Sequence, residues 1–176
     1  MNFYRNTTFW IALTLVLTAL TYLPAISNGF VNWDDDFYVT GNNLIRSLDP
    51  AHLKAMFSQS FMGLYQPLVM LSLAFDYAIG GTNPLIFHLT NLFIHLLNTL
   101  LVFIFLTGLL ENKRIAVIAT LLFGLHPIHA EAVAWVTERK ELLYAFFFLA
   151  SLTCYVRFVK TGRRTWFWIA FVAFIL

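Results

Sequence analysis

Charge is what this sequence has least of. Only 11% of its 176 residues are Asp, Glu, Lys or Arg, while 60% are apolar and mean hydropathy is +0.74. Soluble domains carry about twice that share of charge, so a water-soluble globular domain is excluded and the charges must fall in short stretches between long apolar runs. Cysteine is almost absent. The single Cys154 sits in an apolar stretch, where it reads as a small packing residue and says nothing of redox compartment. A net charge of +2, with no basic cluster beside exposed aromatics, gives no footing for nucleic acid as a partner. No internal repeat, linker or low-complexity segment is present.

What is there is a series of uncharged windows. Asn6 to Trp33, Tyr77 to Leu110, Ile115 to Ala130 and Leu142 to Val156 contain no Asp, Glu, Lys or Arg, and a fifth runs from Thr165 to Leu176. A helix crossing a hydrocarbon core of roughly 30 Å needs about 20 residues, which predicts spans at 9–27, 84–109, 115–132, 141–158 and 165–176, the last cut short. The expected fold is therefore all-α, a polytopic transmembrane bundle, and the abrupt end of the fifth window reads as the first part of a longer chain. Arg5 before the first run, with a poor cleavage site at Pro24-Ala25-Ile26-Ser27-Asn28, predicts a retained signal anchor.

Topology follows from the basic residues. With the N-terminus cytoplasmic, the inner side receives Arg5, Lys113, Arg114, Arg157, Lys160, Arg163 and Arg164, seven of eleven, with one acid, Glu111. The outer side receives Arg46, Lys54, Arg139 and Lys140 with the other eight acids, which is the positive-inside pattern. Residues 64–80 are apolar but contain Pro67, Asp76 and the Gly80-Gly81 stop. They predict an interfacial or shallow re-entrant helix with Asp76 facing headgroups or a polar cleft. Residues 28–83 then form a long outer loop of the kind that usually carries function, with a second helix at 49–58 capped by Asp49-Pro50.

Two acidic constellations lie on that outer side. Asn32-Trp33-Asp34-Asp35-Asp36-Phe37-Tyr38 follows the first span directly. Three adjacent carboxylates repel one another and need water, a cation or a basic partner. The second runs His126-Pro127-Ile128-His129-Ala130-Glu131, then Trp135 and Thr137-Glu138-Arg139-Lys140-Glu141. It reads either as a divalent-metal site of His and carboxylate or as an ordinary interfacial turn with Trp135 as anchor. His88, Asn91, His95 and Asn98 recur at spacings of three and four along one stripe of the second span. In lipid such a stripe must turn inward and be hydrogen-bonded.

Phe30-Val31-Asn32-Trp33-Asp34-Asp35, Tyr65-Gln66-Pro67-Leu68, Phe87 to His95 and, most distinctively, Leu125-His126-Pro127-Ile128-His129-Ala130-Glu131-Ala132-Val133-Ala134-Trp135-Val136 through Arg139-Lys140-Glu141-Leu142-Leu143 carry a likeness over nearly the whole chain. In these stretches the chain resembles the N-terminal membrane part of the GT-C glycosyltransferases, most of all the TMTC-like O-mannosyltransferases with tetratricopeptide repeats after their membrane region. The resemblance implies transfer of a sugar from a polyprenyl-phosphate-linked donor to a hydroxyl of a protein Ser/Thr or a glycan, on the outer or lumenal face. It implies Asp34 as the leading catalytic acid with Asp35 beside it, and Glu131 as a second acidic residue ahead of Glu138 and Glu141.

By the same resemblance Arg139 and Lys140, with His126 and His129, are expected to bind the donor phosphate; by their position, with the second span starting at Pro84, Tyr65, Gln66 and His88 are expected to line an outer cleft. A divalent cation such as Mg or Mn, held by Asp35, Glu131 and His129, is the cofactor to test for. Gln66 departs from the basic residue that many relatives have before this proline. Glu131 is expected to orient Arg139 or Lys140, and the compartment expected is a bacterial or archaeal plasma (inner) membrane. A transporter or flippase-like protein would need ionisable groups deep in the membrane and broken helices. A non-catalytic scaffold, with partners bound by repeats further along the chain, is the other alternative.

Overall fold

The computed structural model describes residues 7–176, so Arg5 and the orientation argument resting on it lie outside the described residues. Helix α1 (Thr7–Tyr22) runs on as a 3₁₀ turn, Leu23–Ser27, in which Pro24, at the second position, has no N–H to leave unbonded. The long loop after it folds as short pieces: a π turn at Asp36–Thr40, a 3₁₀ turn at Asn43–Arg46, α2 (Pro50–Ser58) and α3 (Pro67–Gly80). Then come α4 (Pro84–Leu109), α5 (Lys113–Leu125), a 3₁₀ turn at Pro127–His129, α6 (Ala130–Ala134), another at Val136–Glu138, α7 (Arg139–Thr161) and α8 (Arg164–Ile175).

Among the described residues three stretches are long and apolar enough to cross a membrane, at Thr7–Ser27, Pro84–Leu109 and Val136–Thr161. A fourth, Lys113–Leu125 with Pro127–Ala134, is bent by 43°. The chain is an all-α, multi-pass membrane protein. The third span expected at 115–132 passes through Pro127, and here the structure differs. A proline ring cannot continue the helix, so α5 stops at Leu125 and His126 Nδ1 accepts from the Ile128 N–H at 3.2 Å to open the next turn.

The loop carries its own apolar core. Tyr38, Val39, Ile45 and Met56 pack on Val69, Met70, Leu73 and Ala74 of α3, and on Phe87 of α4 and Val136. Asp49 caps α2, accepting from the His52 N–H at 2.9 Å. Gly81, at φ +59°, ends α3 in a conformation that residues with a side chain rarely adopt. Asp76 does not face headgroups. It is 3% exposed on the inner face of α3, a correction whose cause is the arginine described below.

Among the long helices, association depends on small residues and internally bonded polar groups, because lipid offers no hydrophobic gain. Thr14, Thr18, Thr99 and Thr120 are all buried, each donating to the carbonyl one turn back. At the tightest point α1, α4 and α5 meet at Gly124: a Cβ there would lie 2.4 Å from Thr18 Oγ1 and 3.0 Å from Thr99 Cγ2. Gly124→Ala is expected to destabilise the bundle by about 1–3 kcal/mol, and adding Thr18→Ala to recover much of the loss. Thermal unfolding midpoints in detergent check both, and an unchanged midpoint for the single variant would contradict this packing.

Candidate functional site

The stripe read on α4 organises the site. Asn98 Nδ2 donates to the Leu142 carbonyl at 2.9 Å, and Asn91 Nδ2 to the Trp135 carbonyl at 3.0 Å. His95 Nε2 meets the Gly124 carbonyl at 3.1 Å, and since a carbonyl only accepts, that nitrogen carries the proton. α4 is thereby tied to α5 and to the start of α7 by side chains bonding to backbone.

Arg139, the first residue of α7, is completely buried. Its Nε donates to Asn91 Oδ1 at 2.8 Å, Nη1 to Ser72 Oγ at 2.9 Å and to Asp76 Oδ2, and Nη2 to the Phe87 carbonyl at 2.8 Å. Thr90 Oγ1 donates to the other Asp76 oxygen at 2.7 Å. The guanidinium is consumed by α3 and α4, so the expected role of Arg139 at the donor phosphate is corrected: no face of it is left for a ligand. The signal that sequence reasoning passed over is Asp76 itself. A lone carboxylate in an apolar helix demands a buried cation, and this pair supplies it.

The acidic triplet splits by environment. Asp35 is fully buried, its Oδ2 accepting from the Val31 N–H at 2.9 Å and its Oδ1 from the Thr137 N–H at 3.1 Å. It clips the segment after α1 to the turn before α7, 102 residues away in the chain. Asp36 is exposed, and Asp34 is half-buried within electrostatic reach of Lys140. Lys140 Nζ lies 3.0 Å from Glu138 Oε1. Glu138, ranked below Glu131 from the sequence, is therefore the acid that orients the lysine, and Glu131 is not.

Lys140 lines a cleft of about 430 Å³ with Tyr65, Gln66, Leu68, Tyr144 and Phe147. Gln66 Nε2 donates to the Tyr38 hydroxyl at 2.7 Å, which adds Tyr38 to the neighbourhood, a residue with no chemical motif of its own in the sequence. Tyr65 is exposed and donates to the Phe57 carbonyl at 3.0 Å. His88 is a further correction. Expected to line the cleft, it is buried beneath the backbone of Asn28 and Gly29, where the chain passes over α4.

Glu131 borders a shallow apolar groove with Val31, Trp33, Ala134 and Trp135, and also a separate polar cavity that includes His129 and Glu138. His126 is exposed, its ring used for the turn at Pro127 and its carbonyl accepting from the Tyr22 hydroxyl at 2.8 Å. Among the described residues no three His, Cys, Asp or Glu side chains are grouped to hold a metal ion. The expected set of Asp35, Glu131 and His129 does not assemble, since both Asp35 oxygens are taken by backbone N–H groups.

A multi-pass helical bundle that presents a half-buried carboxylate and a lysine beside an apolar cleft defines a membrane protein with a polar site at one end of its spans. Comparison with known proteins then gives its relatives. Protein O-mannosyl-transferase TMTC2 of Mus musculus is 34% identical over 160 residues, covering 84% of this chain and 19% of its own length. Protein O-mannosyl-transferase TMTC3 of Homo sapiens is 33% identical over 157 residues, 82% of this chain and 17% of its own length. Tmtc1 of Drosophila melanogaster is 32% identical over 158 residues, 84% and 17%. No protein-family profile and no solved structure matches the chain. Over most of its length the chain is a relative of the TMTC protein O-mannosyl-transferases, and it spans about a fifth of their length.

The buried pair yields a direct test. Asp76→Ala or Arg139→Ala alone is expected to lower stability by about 3–5 kcal/mol, because each strands a buried opposite charge. Replacing both, as Asp76→Leu with Arg139→Met, should be clearly less harmful than the sum. A double-mutant cycle on unfolding in detergent reads the coupling, and additive losses would show that the two do not act as a pair.

Proposed function

We propose that this chain forms part of a membrane glycosyltransferase that moves a mannosyl group from a polyprenyl-phosphate carrier to a protein hydroxyl. The observation that supports the reading is that half-buried Asp34 lies within electrostatic reach of Lys140, which lines the 430 Å³ cleft, while Asp35 clips the same segment to Thr137. The relatives' names supply mannose and a protein acceptor. The reading keeps to the outer or lumenal face, the side given by the positive-inside pattern; the relatives are animal proteins and lend no support to a bacterial or archaeal inner membrane.

In this reading Asp34 takes the proton of the acceptor hydroxyl as its oxygen attacks the anomeric carbon. The bond from that carbon to the carrier's phosphate oxygen breaks with inversion, and the phosphate leaves with the electron pair. Asp34 is reachable, which a general base requires, while Asp35 is fully buried with both oxygens taken by N–H groups. The ammonium of Lys140 answers the charge growing on the phosphate, turning from Glu138 toward it. Apolar side chains of the cleft, Leu68, Leu143 and Phe147 among them, suit the prenyl chain. Gln66 contributes an amide donor where a basic residue stands in many relatives, leaving Lys140 as the cation of the cleft.

In membranes containing the full-length protein and a labelled polyprenyl-phosphate mannose, Asp34→Asn is expected to cut transfer roughly 10²–10⁴-fold at unchanged expression. Lys140→Gln should lower turnover and Lys140→Arg restore part of it. Wild-type transfer by Asp34→Asn would remove Asp34 as base, and absence of transfer from any polyprenyl-phosphate sugar would favour the scaffold.

A further inference from the structure

One cavity takes no part in that mechanism. It measures about 310 Å³, near the small end of ligand sites, and lies between α4, the α5–α6 turn and α7. Its polar lining is His95, Asn98, His129, Glu131, Glu138 and Glu141. Asn98 is completely buried, and with its Nδ2 committed to the Leu142 carbonyl, its Oδ1 is left without a partner. A buried amide oxygen so placed asks for a donor, at a stake of about 1–3 kcal/mol if none comes.

Everything else that the wall offers points the same way. Three carboxylates border the cavity and a single cation, Lys140, answers one of them from behind Glu138. The occupant must therefore bring several N–H donors and positive charge. The carboxylates are spread around the wall, not gathered on one point, which suits an extended organic cation better than a metal ion.

The position of the cavity narrows the choice further. The Glu138–Lys140 pair separates it from the 430 Å³ cleft, and Tyr144 borders both. The two cavities are thus close enough for one extended molecule to place a cation here while another part of it reaches the cleft. We propose that the cavity is a subsite for a basic side chain, guanidinium or ammonium, of the acceptor polypeptide, close in sequence to the hydroxyl that receives the sugar. This rests on the reading of the chain as part of a protein glycosyltransferase. It makes Asn98 and Glu141 residues that select the acceptor.

The test uses full-length protein in membranes and two acceptor peptides, alike except that one carries arginine next to the target Ser or Thr and the other citrulline, its neutral counterpart. The arginine peptide is expected to show a KM about tenfold lower, the value of one hydrogen bond to a charged group. Glu141→Gln should erase most of that difference and leave transfer to the citrulline peptide unchanged. Asn98→Leu serves as a second variant wherever it folds. Equal KM for the two peptides, or a preference that survives Glu141→Gln, overturns the proposal.

If neither peptide is glycosylated, the transfer reading fails and the cavity is judged by binding alone. Propylguanidinium should then bind the protein in nanodiscs, Glu141→Gln should abolish it, and propylurea should not bind. Equal binding of the two small molecules, or of neither, overturns the subsite independently of catalysis.

Discussion

A buried arginine must have all its donors answered, and most of the ordering at this end of the molecule follows from how Arg139 meets that demand. Its partners come from α3, α4 and the backbone of α4, so burying one side chain fixes three helices against one another. Desolvating such a charge is expensive, and only a nearly complete set of partners offsets it. The consequence for function is positional. Lys140 and Glu138 flank Arg139 in the chain, so the anchored guanidinium sets where the lysine of the cleft and its acid can be.

The aspartate triplet shows how local geometry divides identical residues. Asp35 spends its charge on two N–H groups and becomes a strut between distant segments, while its neighbour Asp34 keeps solvent and a nearby cation. Both Asp35 oxygens are occupied by backbone N–H groups, so its role is to hold the segment, and the accessible carboxylate of the pair is Asp34. The strut and the reactive group need to be adjacent, because the first holds the second in place.

Much of the helical frame was legible in the sequence for a plain reason. Polar residues in an apolar helix have few places to go, so the spacing of Asn91, His95 and Asn98 announced an inward face, and Pro84 announced a helix start. What escaped was tertiary. Pro127 lies within an uncharged window, and hydropathy alone does not register that its ring ends α5 at Leu125. Arg139 looked like a ligand for an anion because its partner, Asp76, is 63 residues away and was read as facing headgroups. His88 was placed in the cleft by its depth along α4, though the crossing of Asn28 and Gly29 over it is a matter of loop path. Within Asp34-Asp35-Asp36 the pattern has no phase, and only the turn geometry tells which acid is buried.

That 63-residue interval also has a consequence in time. Asp76 leaves the ribosome well before Arg139, and at about 5–20 residues per second the delay is roughly 3–13 s. During that interval the carboxylate of α3 has no guanidinium to meet and is held out of hydrocarbon by the energy of burying an unpaired charge. α3 must then wait at the membrane surface while α4 and α5 insert, and dock only when the start of α7 emerges. The nascent chain thus carries a built-in order of assembly, in which the loop bearing the acidic segment closes only after α7 begins to emerge.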